Sequence, residues 1–194
     1  MPLIVDREKR RRTIAAITTK MIAQKGPDAV TVRDVAAAGK YSTKVISHYF
    51  KSKDELLCFV FRETAIEAAR RVRRLQRSED LQHCLELLLP LDVETRQNWR
   101  MWIAFWGRAA FNETFAREQH ASAATAKNLI KDLLDSSRRR GLLPAEFDTD
   151  LHSGRLLAAI IGIAIQAVLD PKEWPAVKQR ALLRAEIMSV LPRP

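Results

Sequence analysis

The stretch that decides the fold is Thr31-Val32-Arg33-Asp34-Val35-Ala36-Ala37-Ala38-Gly39-Lys40-Tyr41-Ser42-Thr43-Lys44-Val45-Ile46-Ser47-His48-Tyr49-Phe50-Lys51-Ser52-Lys53. Thr31 stands where an N-cap belongs, its hydroxyl able to accept a bond from a first-turn N–H. Gly39 closes that short helix. Ser42 caps a second one over residues 43–49, and Phe50-Lys51 breaks the chain. Ser52-Lys53-Asp54-Glu55 then reads as a capping box that opens a third. Two short helices joined by a tight turn, after a longer first helix, are the layout of a helix-turn-helix whose second helix enters the major groove. The side chains suit that task. Ser42, Thr43 and Ser47 can exchange hydrogen bonds with base edges or phosphates, and Lys44 and Lys53 supply charge. His48 and Tyr49 offer planar polar tips, while Val45, Ile46 and Phe50 can face a core or touch thymine methyls.

Working outward, helical spacing dominates. Glycine is scarce, at six of 194 residues, and no alternating run of β-branched residues appears, so the fold class is all-α, with about nine helices. The first helix covers residues 7–25 with Ile14, Ile17 and Met21 on its apolar face, and Gly26-Pro27 stops it. Beyond the capping box, helices are expected over about 52–74, 81–89, 94–110, 113–140, 150–169 and 174–190, punctuated by Pro90, Gly141 and Asp170-Pro171. The expected domains are a DNA-binding head over residues 1–53 and a helical body over 54–194.

Charge divides along the same line. The net charge is +10; residues 1–78 hold 18 basic and 8 acidic side chains, and residues 79–194 hold 15 of each. A basic head on a neutral body points to a polyanion at one end only. Residues 1–53 alone carry 12 basic and 4 acidic side chains. The run Arg7-Glu8-Lys9-Arg10-Arg11-Arg12 is placed to follow a phosphate backbone or reach an adjacent minor groove.

Other classes are disfavoured. Cys58 and Cys84 are neither a zinc ligand set nor a disulfide framework. His48, His83, His120 and His152 show no metal-binding spacing, and there is no G-x-S-x-G, phosphate-binding loop or dinucleotide fingerprint. The expectation is a non-enzyme with no metal and no cofactor. Met1-Pro2-Leu3-Ile4-Val5-Asp6 is too short for a signal peptide, and the apolar stretch over residues 156–169 falls short of the roughly 20 residues that span a bilayer. A cytoplasmic protein without a membrane partner is expected.

The quoted string closely resembles the TetR family signature. That signature runs T-[VI]-R-x-[VI]-A, then a turn, then S-x-G-x-[IL]-[SY]-x-Y-F-x-[SD]-K-x-x-L. The form Ile46-Ser47-His48-Tyr49-Phe50 is most similar to the BetI branch, repressors of glycine-betaine synthesis genes that respond to choline. Trp102-Ile103-Ala104-Phe105-Trp106 is similar to the W-[LI]-A-F-W segment of BetI-like ligand domains. The resemblance implies a repressor that holds a near-palindromic double-stranded DNA operator and is released by a small-molecule effector. It places Arg33, Ser42, Thr43, Lys44, Ser47, His48, Tyr49 and Lys53 on DNA. Tyr49 and Lys53 are expected on phosphates, and Thr43, Lys44 and His48 near base edges.

The chain departs from the pattern in the turn. The family's A-G-V-S becomes Gly39-Lys40-Tyr41-Ser42, and a glycine in the recognition helix becomes Lys44. Either Lys40 adopts a positive φ, at a cost of roughly 1 kcal/mol or more, or the turn shifts onto Gly39. Lys40 and Lys44 also add charge, which predicts extra phosphate contacts, each steepening the salt dependence of binding by about 0.9 in log–log slope.

In the body, Trp99, Trp102 and Trp106 fall at i, i+3, i+7 beside Phe105. Two readings stand: a core stripe, or an aromatic pocket whose indole faces attract a quaternary ammonium such as choline. A lipophilic or acyl effector is the alternative, and a nonspecific architectural DNA-binding protein a further one. The helix over 150–169 is apolar nearly all round, so it must be covered on several sides. Ala158, Ala159, Gly162 and Ala164 would let another helix approach closely. The resemblance implies a homodimer through the two C-terminal helices, with two-fold symmetry reading two half-sites. It also implies that the helix joining head to body is the lever by which ligand misplaces the heads.

Overall fold

A computed structural model describes residues 7–75 and 80–191. The N-terminal apolar run Met1–Asp6 lies outside them. The described residues form nine α-helices: α1 (Arg7–Lys25), α2 (Val32–Ala38), α3 (Thr43–Tyr49), α4 (Lys53–Leu75), α5 (Leu81–Glu86), α6 (Val93–Ala109), α7 (Glu113–Arg139), α8 (Thr149–Leu169) and α9 (Ala176–Val190). They divide into two compact units. The first comprises the described residues up to Ala65 together with Arg100–Gln119; the second comprises Ile66–Trp99, apart from 76–79, together with 120–191. Helices α4, α6 and α7 each contribute to both.

In the first unit the caps set the helix starts. The Thr31 hydroxyl accepts from the Asp34 N–H at 3.1 Å, and Asp34 Oδ2 accepts from the Thr31 N–H at 3.0 Å, so α2 opens on a reciprocal capping box. Ser42 Oγ accepts from the Val45 N–H at 3.3 Å to open α3. Ser52 Oγ accepts from the Glu55 N–H at 3.0 Å, but the Glu55 carboxylate reaches past the cap to the Lys51 N–H, at 2.7 Å. Gly26, with φ +78°, ends α1 in the left-handed conformation that glycine tolerates best.

The buried stripe of α1 is wider than Ile14, Ile17 and Met21. Ile14, Ala15, Thr18, Thr19, Ile22 and Ala23 are buried, and Ile17 and Met21 are only partly so. Two threonines can sit there because their hydroxyls donate to the carbonyls of Ile14 (2.8 Å) and Ala15 (3.0 Å) one turn earlier. Val35, Ile46, Phe50, Leu56, Val60 and Phe61 fill the centre, with Met101, Phe105 and Phe115 from α6 and α7.

In the second unit α8 and α9 pack together. Asp148 caps α8, its Oδ1 accepting from the N–H groups of Asp150 (3.1 Å) and Leu151 (2.9 Å). Two boundaries differ from expectation, both at proline. Helix α9 begins at Ala176 rather than Trp174, because a residue before proline avoids the α conformation and Trp174 precedes Pro175. The α5 segment leaves α-helical bonding after Glu86 and tightens into three-residue turns, Leu88 N–H to Leu85 carbonyl and Leu89 N–H to Glu86 carbonyl, before Pro90.

Helix α8 is longer than its apolar stretch. It runs back to Thr149, and at 21 residues with mean hydropathy 1.6 it reaches the length and composition of a bilayer-crossing segment. Asp150, His152 and Arg155 occupy its first two turns. Leu156, Ile160, Ile163, Ala164 and Ala167 are buried within the unit, while Leu151 and Leu169 are exposed.

Candidate nucleic-acid interface and effector region

Helix α3 presents one polar face. Ser42, Thr43, Lys44, Ser47 and His48 are exposed, while Ile46 is fully buried and Val45 half-buried on the other side. The face exists because Ile46 and Phe50, four residues apart, anchor α3 in the core. Tyr49 is half-buried at the end of the helix, its ring edge-on to His48 with centroids 5.2 Å apart. Arg33 is exposed on α2. Lys53 is engaged within the chain: its Nζ donates to the Asp28 carbonyl at 3.0 Å and ties the α1–α2 loop to the start of α4.

The turn between α2 and α3 resolves the two alternatives. Lys40 takes the positive φ, at +55°, and Gly39 is right-handed at −86°. Gly39 serves space rather than torsion: a Cβ there would lie 2.6 and 2.7 Å from the Tyr41 ring carbons and 3.1 Å from Ile17. Tyr41 in turn accepts a bond on its hydroxyl from Arg10 Nη1 at 2.9 Å.

The basic run of α1 is partly committed to its own chain. Arg11 lies over the rings of Phe50 (4.9 Å) and Phe59 (4.4 Å) and approaches Glu55 at 3.4 Å. Arg12 pairs with Glu63 at 3.2 Å. Arg108 lies 3.9 Å from Asp28 and 3.7 Å from Asp54, with its guanidinium over Phe115. Sequence reading passed over Arg10, Tyr41 and Arg108 as partners because their contacts join segments far apart in the chain.

The aromatic stripe of α6 divides between the units. In the second, Trp99 is buried and donates its indole N–H to the Leu88 carbonyl at 2.8 Å. In the first, Phe105 is buried in a ring stack on Phe61. Trp102 is half-buried and donates to Thr64 Oγ1 at 2.9 Å, and Trp106 is half-buried against the same core.

Each unit also holds a cavity that the sequence did not signal. One, of about 430 Å³ in the first unit, is lined by Arg11, Asp54, Glu55, Cys58, Arg62 and Glu118 among others. Burial, with smaller contributions from Glu118 and Asp54, pushes the Cys58 thiol up to about 11, so it stays protonated at neutral pH and is a poor nucleophile. The other, of about 330 Å³ in the second unit, has Leu133, Leu143, Ile187 and Met188 in its apolar lining and Arg140 and Arg184 as its cations.

Two short capped helices joined by a tight turn, with a polar exposed face on the second and a chain that is otherwise helical, define a helix-turn-helix protein. Comparison with known proteins gives the same class. Residues 14–58 match the profile of bacterial regulatory proteins of the tetR family, and residues 77–192 match that of the C-terminal domain of BetI-type transcriptional repressors. The chain is 31% identical to the transcriptional regulator PksA of Bacillus subtilis, across 88% of this chain and 84% of that one. It is 27% identical to BetI of Escherichia coli K12, across 99% of each. Among solved structures, a putative TetR-family regulator from Rhodococcus sp. superposes with a TM-score of 0.84 at 21% identity, covering 95% of this chain and all of that one. A putative regulator from Saccharomonospora viridis, solved in complex with choline, gives 0.81 at 23%, covering 96% of this chain and 100% of that one. The chain belongs to the TetR family of transcriptional regulators and carries a BetI-type repressor C-terminal domain.

Proposed function

We propose that this repressor acts in the cytoplasm as a homodimer that holds a near-palindromic operator and lets go when a small molecule binds its C-terminal domain. The observation that carries the DNA reading is the single polar face of α3. Thr43, Lys44, Ser47 and His48 stand exposed over a buried Ile46. Thr43, Lys44 and His48 would meet base edges, and Ser42, Ser47, Arg33 and Tyr49 would hold the backbone. Lys53 would reach a phosphate only by giving up its bond to Asp28. Electrophoretic mobility shift with an operator selected from a random pool tests this. Binding should survive a large excess of random duplex, and equal affinity for both would sink it.

The dimer reading rests on exposed apolar and small side chains at coiled-coil spacing. Helix α8 offers Leu151, Ala158, Gly162 and Leu169, and α9 offers Val177, Ala181, Ala185 and Met188. Covering such a face with a second copy buries apolar surface that otherwise meets water.

For the effector, choline or a related quaternary ammonium is favoured by the family and by the half-buried indole faces of Trp102 and Trp106, which lie with Phe105 in the first unit, whereas Trp99 is buried in the second. The Saccharomonospora viridis structure, which holds choline, supports it by analogy. Ligand would bias the dimer toward a spacing of heads that no longer fits the operator, with α4 as the lever. Operator affinity and tryptophan fluorescence are to be measured in millimolar choline; no change in either would argue against choline. A second reading, a lipophilic or acyl carboxylate, is favoured by the cavity lined by Leu133, Ile187, Arg140 and Arg184. Release by a medium-chain fatty acid but not by choline would select it.

A further inference from the structure

An arginine in a basic run beside a reading helix invites assignment to DNA. Arg10 has another occupation. Its Nη1 donates to the Tyr41 hydroxyl at 2.9 Å across 31 residues of sequence, and its guanidinium carbon lies 5.2 Å from the centre of that ring. The ring presses on Gly39, at 2.6 and 2.7 Å from where a Cβ would be. With Tyr41 held there, the reversal between α2 and α3 falls on Lys40, at φ +55°. The turn is closed by the Lys40 N–H on the Ala37 carbonyl (3.1 Å) and the Tyr41 N–H on the Ala36 carbonyl (2.8 Å). Ser42, the cap of α3, follows directly.

We propose that Arg10 is a positioning residue for operator recognition. Through Tyr41 it fixes the α2–α3 turn, and so the direction in which α3 offers Thr43, Lys44 and His48, instead of itself binding phosphate. The proposal rests on α3 being the DNA-reading helix. A guanidinium bonded to a phenol oxygen is a charge-assisted contact, stronger than a neutral one. Tyr41 first, and Tyr49 in the same direction, raise the Arg10 pKa, and a guanidinium stays charged at any working pH. The neighbouring Arg11 and Arg12 likewise pair inside the chain, with Glu55 and Glu63.

The test uses the full-length protein as wild type, Arg10→Ala, Tyr41→Phe and the double variant. Amide hydrogen exchange at Lys40 and Tyr41 is measured without DNA, and affinity for selected operator and for random duplex is measured across a salt series. Both single variants should speed exchange at the two amides by about tenfold, the value of one charge-assisted bond. Both should weaken operator binding more than random binding while leaving the salt slope unchanged, and the double variant should be no worse than either. The proposal is overturned if Arg10→Ala lowers the slope by about 0.9, the signature of one lost phosphate contact. Unchanged exchange in Arg10→Ala, or wild-type behaviour of Tyr41→Phe, overturns it equally. If wild type fails to prefer operator over random DNA, the repressor reading fails instead, and exchange without DNA still decides whether Arg10 orders the turn. Should Arg10→Ala not fold, Tyr41→Phe carries the test, since it keeps the ring against Gly39 and removes only the hydroxyl.

Discussion

Phe105 stacks face to face on Phe61, with ring centroids 3.8 Å apart and planes 7° from parallel. Phe115 closes on the same ring at 4.8 Å, and all three are buried. Phe105→Ala should therefore behave as a core truncation, destabilising by about 3–5 kcal/mol in urea unfolding. Trp102→Phe should cost only about 1 kcal/mol, the worth of its bond to Thr64. Thr64 Oγ1 still donates to the carbonyls of Val60 and Phe61. A Trp102→Phe protein of near-normal stability that no longer responds to choline would place that indole in the effector site.

Lys40 and Gly39 make opposite predictions within one turn. Lys40 at φ +55° carries the left-handed penalty of roughly 1–2 kcal/mol, so Lys40→Gly should relieve it. Glycine's extra freedom in the unfolded chain gives back part of that. A net gain of about 0.5–1 kcal/mol is expected in the urea midpoint. Gly39→Ala pushes a methyl into the Tyr41 ring and should lose about 1–3 kcal/mol, as overpacking does. A neutral Gly39→Ala would mean that the Tyr41 ring swings away freely.

Three carboxylates make the fold sensitive to acid. The Thr31 backbone N–H and then its hydroxyl lower the pKa of Asp34. The bond from Lys131, against burial and with Thr149, lowers that of Asp135. Burial alone would raise that of Asp92, but bonds from Thr95 and Arg71 together bring it down. A pKa below its unfolded value contributes stability that is present above about pH 4 and lost as pH falls below it. Tm should be nearly flat from about pH 7 to 5 and drop below about 4. Asp135→Asn should lower Tm at neutral pH and flatten the acid slope.

The exposed face of α8 and α9 predicts oligomeric state. Val177 and Met188 are 77% and 63% exposed on α9, so charging them should not disturb the single-chain fold. The double variant Val177→Glu, Met188→Glu is expected to sediment as a monomer with unchanged helicity. It should also bind operator far more weakly, because one recognition helix reads only one half-site. A variant that remains dimeric would move the interface elsewhere.

Much of this was legible from residue order. The capped starts at Thr31, Ser42 and Ser52 needed only the side chain and the N–H three residues on. The polar face of α3 followed from its 3.6-residue period. Helix ends were less so where proline acted: Pro175 delays α9 past Trp174, and the segment before Pro90 leaves the α form early. The aromatic stripe shows why a face is not a site. Periodicity puts Trp99, Trp102 and Trp106 on one side of α6, but Phe61, Leu88 and Thr64, from other elements, determine what that side meets.

Sequence alone determined the order of the helices, the caps at Thr31, Ser42 and Ser52, the concentration of basic residues near the N-terminus and the family, since these depend on neighbours within four positions or on a contiguous motif. Tertiary structure decided which of two torsions the α2–α3 turn takes, because Gly39 and Lys40 could each have carried the reversal. Lys40 carries it, at φ +55°, while Gly39 leaves room for the Tyr41 ring that Arg10 contacts. Tertiary structure likewise turned Arg10, Arg11 and Arg12 toward Tyr41, Glu55 and Glu63, partners at least 31 residues away that no local pattern brings together.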